Sequence, residues 1–336
     1  MLLARRRRTG RLLLAGLFVL LLVASGASGF WLATGRDNGG TETETEGRPV
    51  SQVRRIMLAG DSMTQGADGD RTWRYHLWNH LEPHVDGLDF VGPYTDPATP
   101  EMILPVPTTK GEDPESPKED PAEDEHDHHG HVEYQDPHFD QDHNALWGRT
   151  LSDAATTIQQ DVATHRPDVL CVMLGINDLL WPISEEKMEG LLRGYIESAR
   201  ASNPNIRLVL AETLPIALNE SDEGFSLRTY VYNETVRSVA ADMSTKASPV
   251  ISLNVAQKED WDVDSDTYDG THPNAGGELK IAAAFADALS NGYGIGPTYP
   301  RPLPIAPRPD GPHPVDVGRA NPPRASRVHR YPGSCD

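Results

Sequence analysis

Short apolar runs recur along the chain, and segments with helical periodicity separate one run from the next. In the run at residues 169–174 apolar and polar residues do not alternate, which is typical of a strand that is covered on both faces. The predicted strands are residues 53–59, 88–92, 169–174, 206–211 and 249–253. Strands that alternate with helices favour a parallel sheet with helices on both sides. We therefore predict an α/β protein with a central parallel sheet of about five strands.

The alternating pattern occupies residues 51–293, which we predict to form a single domain. A polar linker at 35–50 precedes this domain, and a proline-rich tail at 294–336, predicted to be disordered, follows it. An insertion rich in Pro, His and acidic residues interrupts the pattern at about residues 95–142. Fifteen acidic residues stand against two lysines between Asp96 and Asp142, so this stretch cannot bury a core and is predicted to be a long loop. The His-Asp run at 126–131 is either a set of solvated histidines, which we favour, or a site for a divalent metal.

The first 34 residues differ from the rest of the chain. Five arginines, at positions 5–8 and 11, precede an apolar run at 12–24, and a second apolar stretch at 30–33 follows a group of small residues. The run to residue 24 has the form of a signal peptide, whereas the run to residue 33 is long enough to span a membrane. The arginines orient the N-terminus towards the cytoplasm. We favour an uncleaved membrane anchor over a cleaved signal, and in both cases the domain is exported.

Charge and cysteine content exclude several classes of protein. The net charge of −20 argues against binding to nucleic acid or electrostatic adhesion to anionic lipid. Cys171 lies within an apolar run and Cys335 lies at the end of the tail, so a disulfide framework is not expected. We predict a monomer without a cofactor or a bound metal.

The first strand runs into Gly-Asp-Ser-Met-Thr-Gln-Gly at residues 60–66. A sharp turn at this point would expose the Ser62 hydroxyl at the carboxyl edge of the sheet, where open α/β folds place their ligands. Ser62 is therefore our candidate for a nucleophile. The alternative is that Ser62 only caps the helix that follows.

A serine needs a base, and the base needs a carboxylate to fix its tautomer. Asp269 and His272 lie three residues apart in a loop and would supply both groups. Donors for the negative oxygen of a tetrahedral intermediate would be the Ser62 N–H, the Asn177 side chain and the N–H of Gly148 or Gly92, of which we prefer Gly148. Each residue also has a simpler explanation: a turn cap for Asn177, an Asx turn for Asp269 and His272, and a positive φ for Gly148.

These motifs resemble the blocks of the SGNH hydrolases, also called the GDSL esterase/lipase superfamily. Gly60-Asp61-Ser62 with Gly66 matches the nucleophile block, residues 175–178 (Gly-Ile-Asn-Asp) match the Gly-x-Asn-Asp block, and residues 269–272 match the terminal Asp-x-x-His block. The resemblance implies a three-layer, flavodoxin-like α/β/α domain that hydrolyses an ester through an acyl-enzyme, without metal. Thr64 stands where the Gly-x-Ser-x-Gly elbow of α/β-hydrolases needs its second glycine, so we reject that family.

Sequence therefore predicts an exported serine esterase that removes short acyl groups, with acetyl as the first choice, from carbohydrate. Tryptophans near the motifs (Trp73, Trp147 and Trp181) would suit sugar rings, although they could equally belong to the core. We assign substrate contacts to Asp61, Trp147 and Trp181. The alternatives are a lipase or thioesterase for longer acyl chains, an enzyme that transfers the acyl group to a sugar, and a non-catalytic surface protein that binds metal or wall polymer.

Overall fold

A computed structural model describes residues 53–99, residue 102 and residues 132–304. Its strands are β1 (Arg55–Gly60), β2 (Asp89–Phe90), β3 (Asn144–Ala145), β4 (Val169–Met173), β5 (Arg207–Ala211) and β6 (Val250–Leu253). All pair in parallel in one six-stranded sheet of order β2-β1-β4-β5-β6, with β3 beside β1. The prediction of an α/β fold with a parallel sheet is confirmed. The sheet has six strands, whereas we predicted about five. The prediction missed β3 because this strand is short and carries no apolar run.

The strand that the prediction missed, β3, lies beside the carboxyl end of β1. β2 pairs with the first half of β1, at Arg55 and Ile56, whereas β3 pairs with its last two residues, Ala59 and Gly60. On its other side, β1 pairs along its length with β4. Two chain segments, β3 and the end of β4, therefore frame the turn that follows Gly60.

The longer helices are α2 (Trp73–Leu81), α3 (Leu151–His165), α5 (Glu185–Ser202), α7 (Glu223–Met243) and α10 (Ala275–Tyr293). The shorter ones are α1 (Ser62–Gln65), α4 (Ile176–Leu179), α6 (Ala217–Ser221), α8 (Val255–Glu259) and α9 (Val263–Asp266). α2 packs on α10, and α5 packs between α3 and α7. These two helical groups flank the sheet, and β4 between them is buried at every residue. Complete burial explains why its sequence shows no alternation.

The ends of the predicted insertion are packed parts of the domain. Ala98, Tyr134 and Phe139 are buried, although we placed all three in a loop that cannot bury a core. The backbone of Ala98 bonds to Gly66 and Asp68, and the Gly69 N–H donates to the Glu133 carbonyl at 2.8 Å. The acidic, apolar-poor composition applies to the middle of the segment, and residues 103–131 lie outside the described residues, as does the His-Asp run.

At its C-terminal end the domain extends beyond the predicted boundary at residue 293. Ile295 is buried, and the Tyr299 N–H donates to Asp287 at 2.7 Å. Arg301 forms ion pairs with Glu259 at 2.5 Å and Asp287 at 3.2 Å. The prolines of this stretch led us to predict disorder from 294 onwards, and the structure corrects this for residues 294–304. The rest of the tail, with Cys335, lies outside the described residues.

The predicted anchor at 1–34 and the linker at 35–50 also lie outside the described residues. Across the described ranges, no helix has the length and apolar character needed to cross a bilayer.

Candidate active site

The serine turn begins where β1 ends. Gly60 has no room for a side chain, because a Cβ there would collide with the side chain of Thr64. Asp61 caps the N-terminus of α1 and accepts a hydrogen bond from the Met63 N–H at 3.1 Å. Ser62 is the first residue of α1, so its N–H is among those that the helix itself leaves without an acceptor. The turn thus places the hydroxyl and the N–H of Ser62 at the carboxyl edge of the sheet.

The loop between α9 and α10 carries the predicted base and acid. His272 Nε2 lies 3.0 Å from Ser62 Oγ, and His272 Nδ1 lies 2.7 Å from Asp269 Oδ2. The other oxygen of Asp269 accepts the N–H groups of Thr271 at 2.9 Å and of His272 at 2.7 Å. The structure therefore brings the three predicted residues into one line of hydrogen bonds, although Ser62 and His272 are 210 positions apart.

Electrostatics keeps the Asp269 carboxylate charged. Partial burial by itself raises the pKa of Asp269, but the hydrogen bond and charge of His272, together with two backbone N–H donors, outweigh burial and lower it. A charged Asp269 holds a proton on Nδ1 of His272. Nε2 is then free to accept the proton of the Ser62 hydroxyl, which is the requirement for a general base.

The two candidate glycines differ in what surrounds them. A Cβ on Gly92 would overlap the backbone carbonyl of His143, so close packing accounts for that glycine. Gly148 has φ +73 and nothing within 4 Å of the position of a Cβ. The Gly148 loop thus needs glycine for its conformation and borders open space. This contrast favours Gly148 over Gly92 as the donor.

Asn177 lies at the start of α4, directly after β4. Its Nδ2 donates to the carbonyl of Arg149 at 3.1 Å, which ties it to the residue that follows Gly148. The neighbouring Asp178 accepts the N–H groups of Leu151 at 2.6 Å and Ser152 at 3.2 Å at the start of α3. Burial raises the pKa of Asp178 in spite of these two donors. Asn177 and Asp178 together join α4 to the Gly148 loop.

The three tryptophans occupy different environments. Trp73 is fully buried and stacks on Phe285 with ring centroids 4.6 Å apart, so it belongs to the core and is no candidate for a sugar contact. Trp147 is half-buried, and its ring stacks on the imidazole of His272 with centroids 4.3 Å apart. Trp181 is 72% exposed just after α4. Trp147 and Trp181 therefore remain candidates for contact with a substrate.

Sequence reasoning missed the side chains that support α1. Arg74 is fully buried and donates to the carbonyls of Thr64 at 2.8 Å and Gln65 at 3.2 Å. It also binds the Tyr134 hydroxyl at 2.5 Å and the Gln141 carbonyl at 2.9 Å. The sequence offers one signal for this role, an arginine among the apolar positions of α2. Its partners are distant in the sequence and could not be deduced from it.

Within residues 53–99, 102 and 132–304, no group of three or more His, Cys, Asp or Glu residues is arranged to hold a metal ion.

Asp61 is a buried carboxyl beside the serine. Burial raises its pKa to about 7, while the Met63 N–H and the charge of His272 act in the opposite direction. Asp61 is 1% exposed, and no described hydrogen bond joins its carboxyl to a basic side chain, so its protonation is linked to folding. This location also leaves Asp61 little surface for the substrate contact that we predicted.

We expect the stability of the wild-type protein, measured against Asp61→Asn, to fall as the pH rises from about 4 to about 7. The unfolded chain ionises Asp61 near the ordinary pKa of 3.8, whereas the folded chain resists ionisation up to about 7. The difference in the free energy of unfolding should change by up to about 4 kcal/mol and then level off. Urea unfolding of both proteins at a series of pH values measures it. A difference that is independent of pH would contradict a buried neutral Asp61.

Comparison with known proteins finds a family model that matches part of the domain. Residues 133–279, which include Gly148, Asn177, Asp269 and His272, match the model of the GDSL-like lipase/acylhydrolase family. A multidomain esterase from Ruminococcus flavefaciens is 27% identical over 253 residues. That alignment covers 71% of this chain and 28% of the relative, so the chain spans less than a third of the relative's length.

Solved structures share the fold. A carbohydrate esterase of family 3 from Talaromyces cellulolyticus superposes with a TM-score of 0.54 at 22% identity, covering 72% of this chain and 99% of the other. An acetyl esterase variant with an acetate ion gives 0.54 at 21% identity, with the same coverage of both chains. The family 3 carbohydrate esterase of Clostridium thermocellum gives 0.52 at 22% identity and covers 72% and 98%. At these identities the likeness shows a common fold.

Proposed function

Because the chain carries a domain of the GDSL-like lipase/acylhydrolase family, a family of carboxylic ester hydrolases, we propose that it is an exported serine esterase for short acyl esters of carbohydrate. The observation that carries this proposal is the line of hydrogen bonds from Asp269 through His272 to Ser62. Acetyl is the preferred acyl group. The named relatives that support this choice are an acetyl esterase and carbohydrate esterases. Export rests on the five arginines and the apolar run of the first 34 residues.

In the proposed mechanism, Ser62 Oγ attacks the ester carbonyl while its proton moves to His272 Nε2. The carbonyl oxygen becomes an oxyanion that accepts hydrogen bonds from the N–H groups of Ser62 and Gly148 and from the Asn177 side chain. When the tetrahedral intermediate collapses, the bond between the carbonyl carbon and the sugar oxygen breaks, and His272 gives its proton to that oxygen, so the sugar leaves as an alcohol. Ser62 then holds the acyl group as an ester. Water attacks this ester with His272 again as the base, which releases the acid and restores the serine.

Asp269 supports both halves of this cycle. Its carboxylate stabilises the imidazolium that forms each time His272 accepts a proton. The short contact of 2.7 Å to Nδ1, and the two backbone donors on the other oxygen, hold the carboxylate in the required orientation.

The proposal is tested by measuring acid release with purified protein from a panel of acetylated polysaccharides, free acetylated sugars and lipids. A parallel series of nitrophenyl esters from two to twelve carbons reports acyl preference. We expect acetate release from at least one acetylated carbohydrate. In the nitrophenyl series, kcat/KM should fall by about tenfold or more from two to eight carbons, because the proposed substrate carries a short acyl group. Preference for eight carbons or more would favour a lipase or thioesterase and overturn the proposal. A complete lack of ester hydrolysis would favour a binding protein.

A further inference from the structure

The ring of Trp147 lies against the imidazole of His272. The two ring centroids are 4.3 Å apart and the planes differ by 24°, which is a stacked arrangement. The Tyr268 ring is also nearly parallel to the imidazole, at 21°, but its centroid is more distant, at 5.8 Å. The imidazole is thus the group in contact with one face of the indole.

The backbone of Trp147 is held by the helix that carries the serine. Its N–H donates to Gln65 Oε1 at 2.7 Å, and Gln65 is the last residue of α1 and 4% exposed. The carbonyl of Gln65 accepts hydrogen bonds from the Tyr134 hydroxyl at 2.8 Å and from Arg74 at 3.2 Å. Gln65 is therefore fixed on both its side chain and its backbone, and it connects α1 to the backbone of the residue whose ring contacts His272.

From these contacts we propose that Trp147 is a positioning residue for His272, held in register with Ser62 by the Gln65 side chain. This inference rests on the proposed function. The hydrogen bonds of His272 to Asp269 and Ser62 act at Nδ1 and Nε2, so they restrain only weakly the tilt of the imidazole about the line through these two atoms. A flat aromatic surface restricts that tilt. The negative face of the indole also attracts the imidazolium that forms when His272 takes the proton.

A positioning role differs from the sugar contact that the sequence predicted for Trp147. A sugar platform needs a free aromatic face and affects only substrates that carry the sugar. A support for His272 affects every ester, including one without a sugar, and acts on kcat because it concerns the proton transfer.

The test compares Trp147→Ala and Trp147→Phe with the wild-type protein on nitrophenyl acetate and on an acetylated xylo-oligosaccharide. We expect kcat of the alanine variant to fall about 10- to 100-fold on both substrates, with KM changed less than about threefold. The phenylalanine variant should recover most of kcat because it keeps an aromatic face. Tyr230→Ala removes an aromatic ring that is 62% exposed on α7 and should leave kcat on nitrophenyl acetate unchanged.

Gln65→Met provides a second, independent variant, since it removes the acceptor for the Trp147 N–H and keeps the size of the side chain. We expect kcat to fall in the same direction, and the double variant with Trp147→Ala to be no slower than the slower single variant.

The inference would be overturned if Trp147→Ala hydrolysed nitrophenyl acetate with the same kcat as the wild-type protein. It would also be overturned if the only effect of this substitution were a higher KM for the saccharide. A multiplicative loss in the double variant would also overturn it. A wild-type protein that hydrolyses no ester would instead refute the proposed function, so the two failures are distinguishable.

Discussion

Replacing Ser62 with alanine is expected to lower kcat on nitrophenyl acetate by about 10⁴-fold or more. The substitution removes Ser62 Oγ, which lies 3.0 Å from His272 Nε2. This oxygen is the proposed nucleophile, so without it no acyl-enzyme can form. The N–H donors of the turn and the Asn177 amide remain, and KM should change little because the alanine adds no bulk.

The measurement is steady-state kinetics with a mass-spectrometric check for the acyl-enzyme after rapid acid quench. Ser221→Ala is the matched control, because Ser221 is exposed at the end of α6 and its hydroxyl contacts only carbonyls of its own helix. It should retain full activity. Full activity of Ser62→Ala would show that another group is the nucleophile and would end the proposed mechanism.

Replacing Asp269 with asparagine is expected to lower kcat by about 10³- to 10⁴-fold. The amide has no negative charge to stabilise the imidazolium, and its NH₂ group can face Nδ1 and favour the tautomer that carries the proton on Nε2. That tautomer cannot accept the proton of Ser62. The loop should keep its shape, because the amide oxygen can still accept the N–H groups of Thr271 and His272 that now bond to Asp269 Oδ1.

Kinetics at neutral pH, together with thermal unfolding of both proteins, separates loss of charge from loss of structure. Asp264→Asn is the control, since Asp264 is an exposed residue of α9 in the same region and should tolerate the change with unaltered kcat. If Asp269→Asn retained more than about a tenth of wild-type kcat, the carboxylate would have no part in orienting His272.

The local sequence predicted the parts of this site that a loop or a strand end can encode. Asp269 and His272 are three residues apart, so one turn of chain can bring their side chains together. Ser62 and Asn177 each follow an apolar run, and the carboxyl ends of neighbouring parallel strands lie at one edge of a sheet.

The supports of the site were not predictable in this way. Arg74 contacts Tyr134, and Gln65 contacts Trp147, across separations of 60 and 82 residues. No local pattern encodes such contacts, because they depend on how the helices and the ends of the insertion pack together. Strand β3 was missed for a related reason: Asn144 and Ala145 form a strand only because the end of β1 offers them partners.

Two described residues near the ends of the predicted insertion, Ala98 and Glu133, are bonded to the turn that follows α1. Ala98 bonds to Gly66 and Asp68, and Glu133 bonds to Asp68 and Gly69. Because the entropy of closing a loop grows only slowly with its length, about 0.6 kcal/mol for each doubling, segments of very different length can join these two fixed points. The segment between residues 99 and 132 can therefore differ in length without displacing the turn that follows the serine helix.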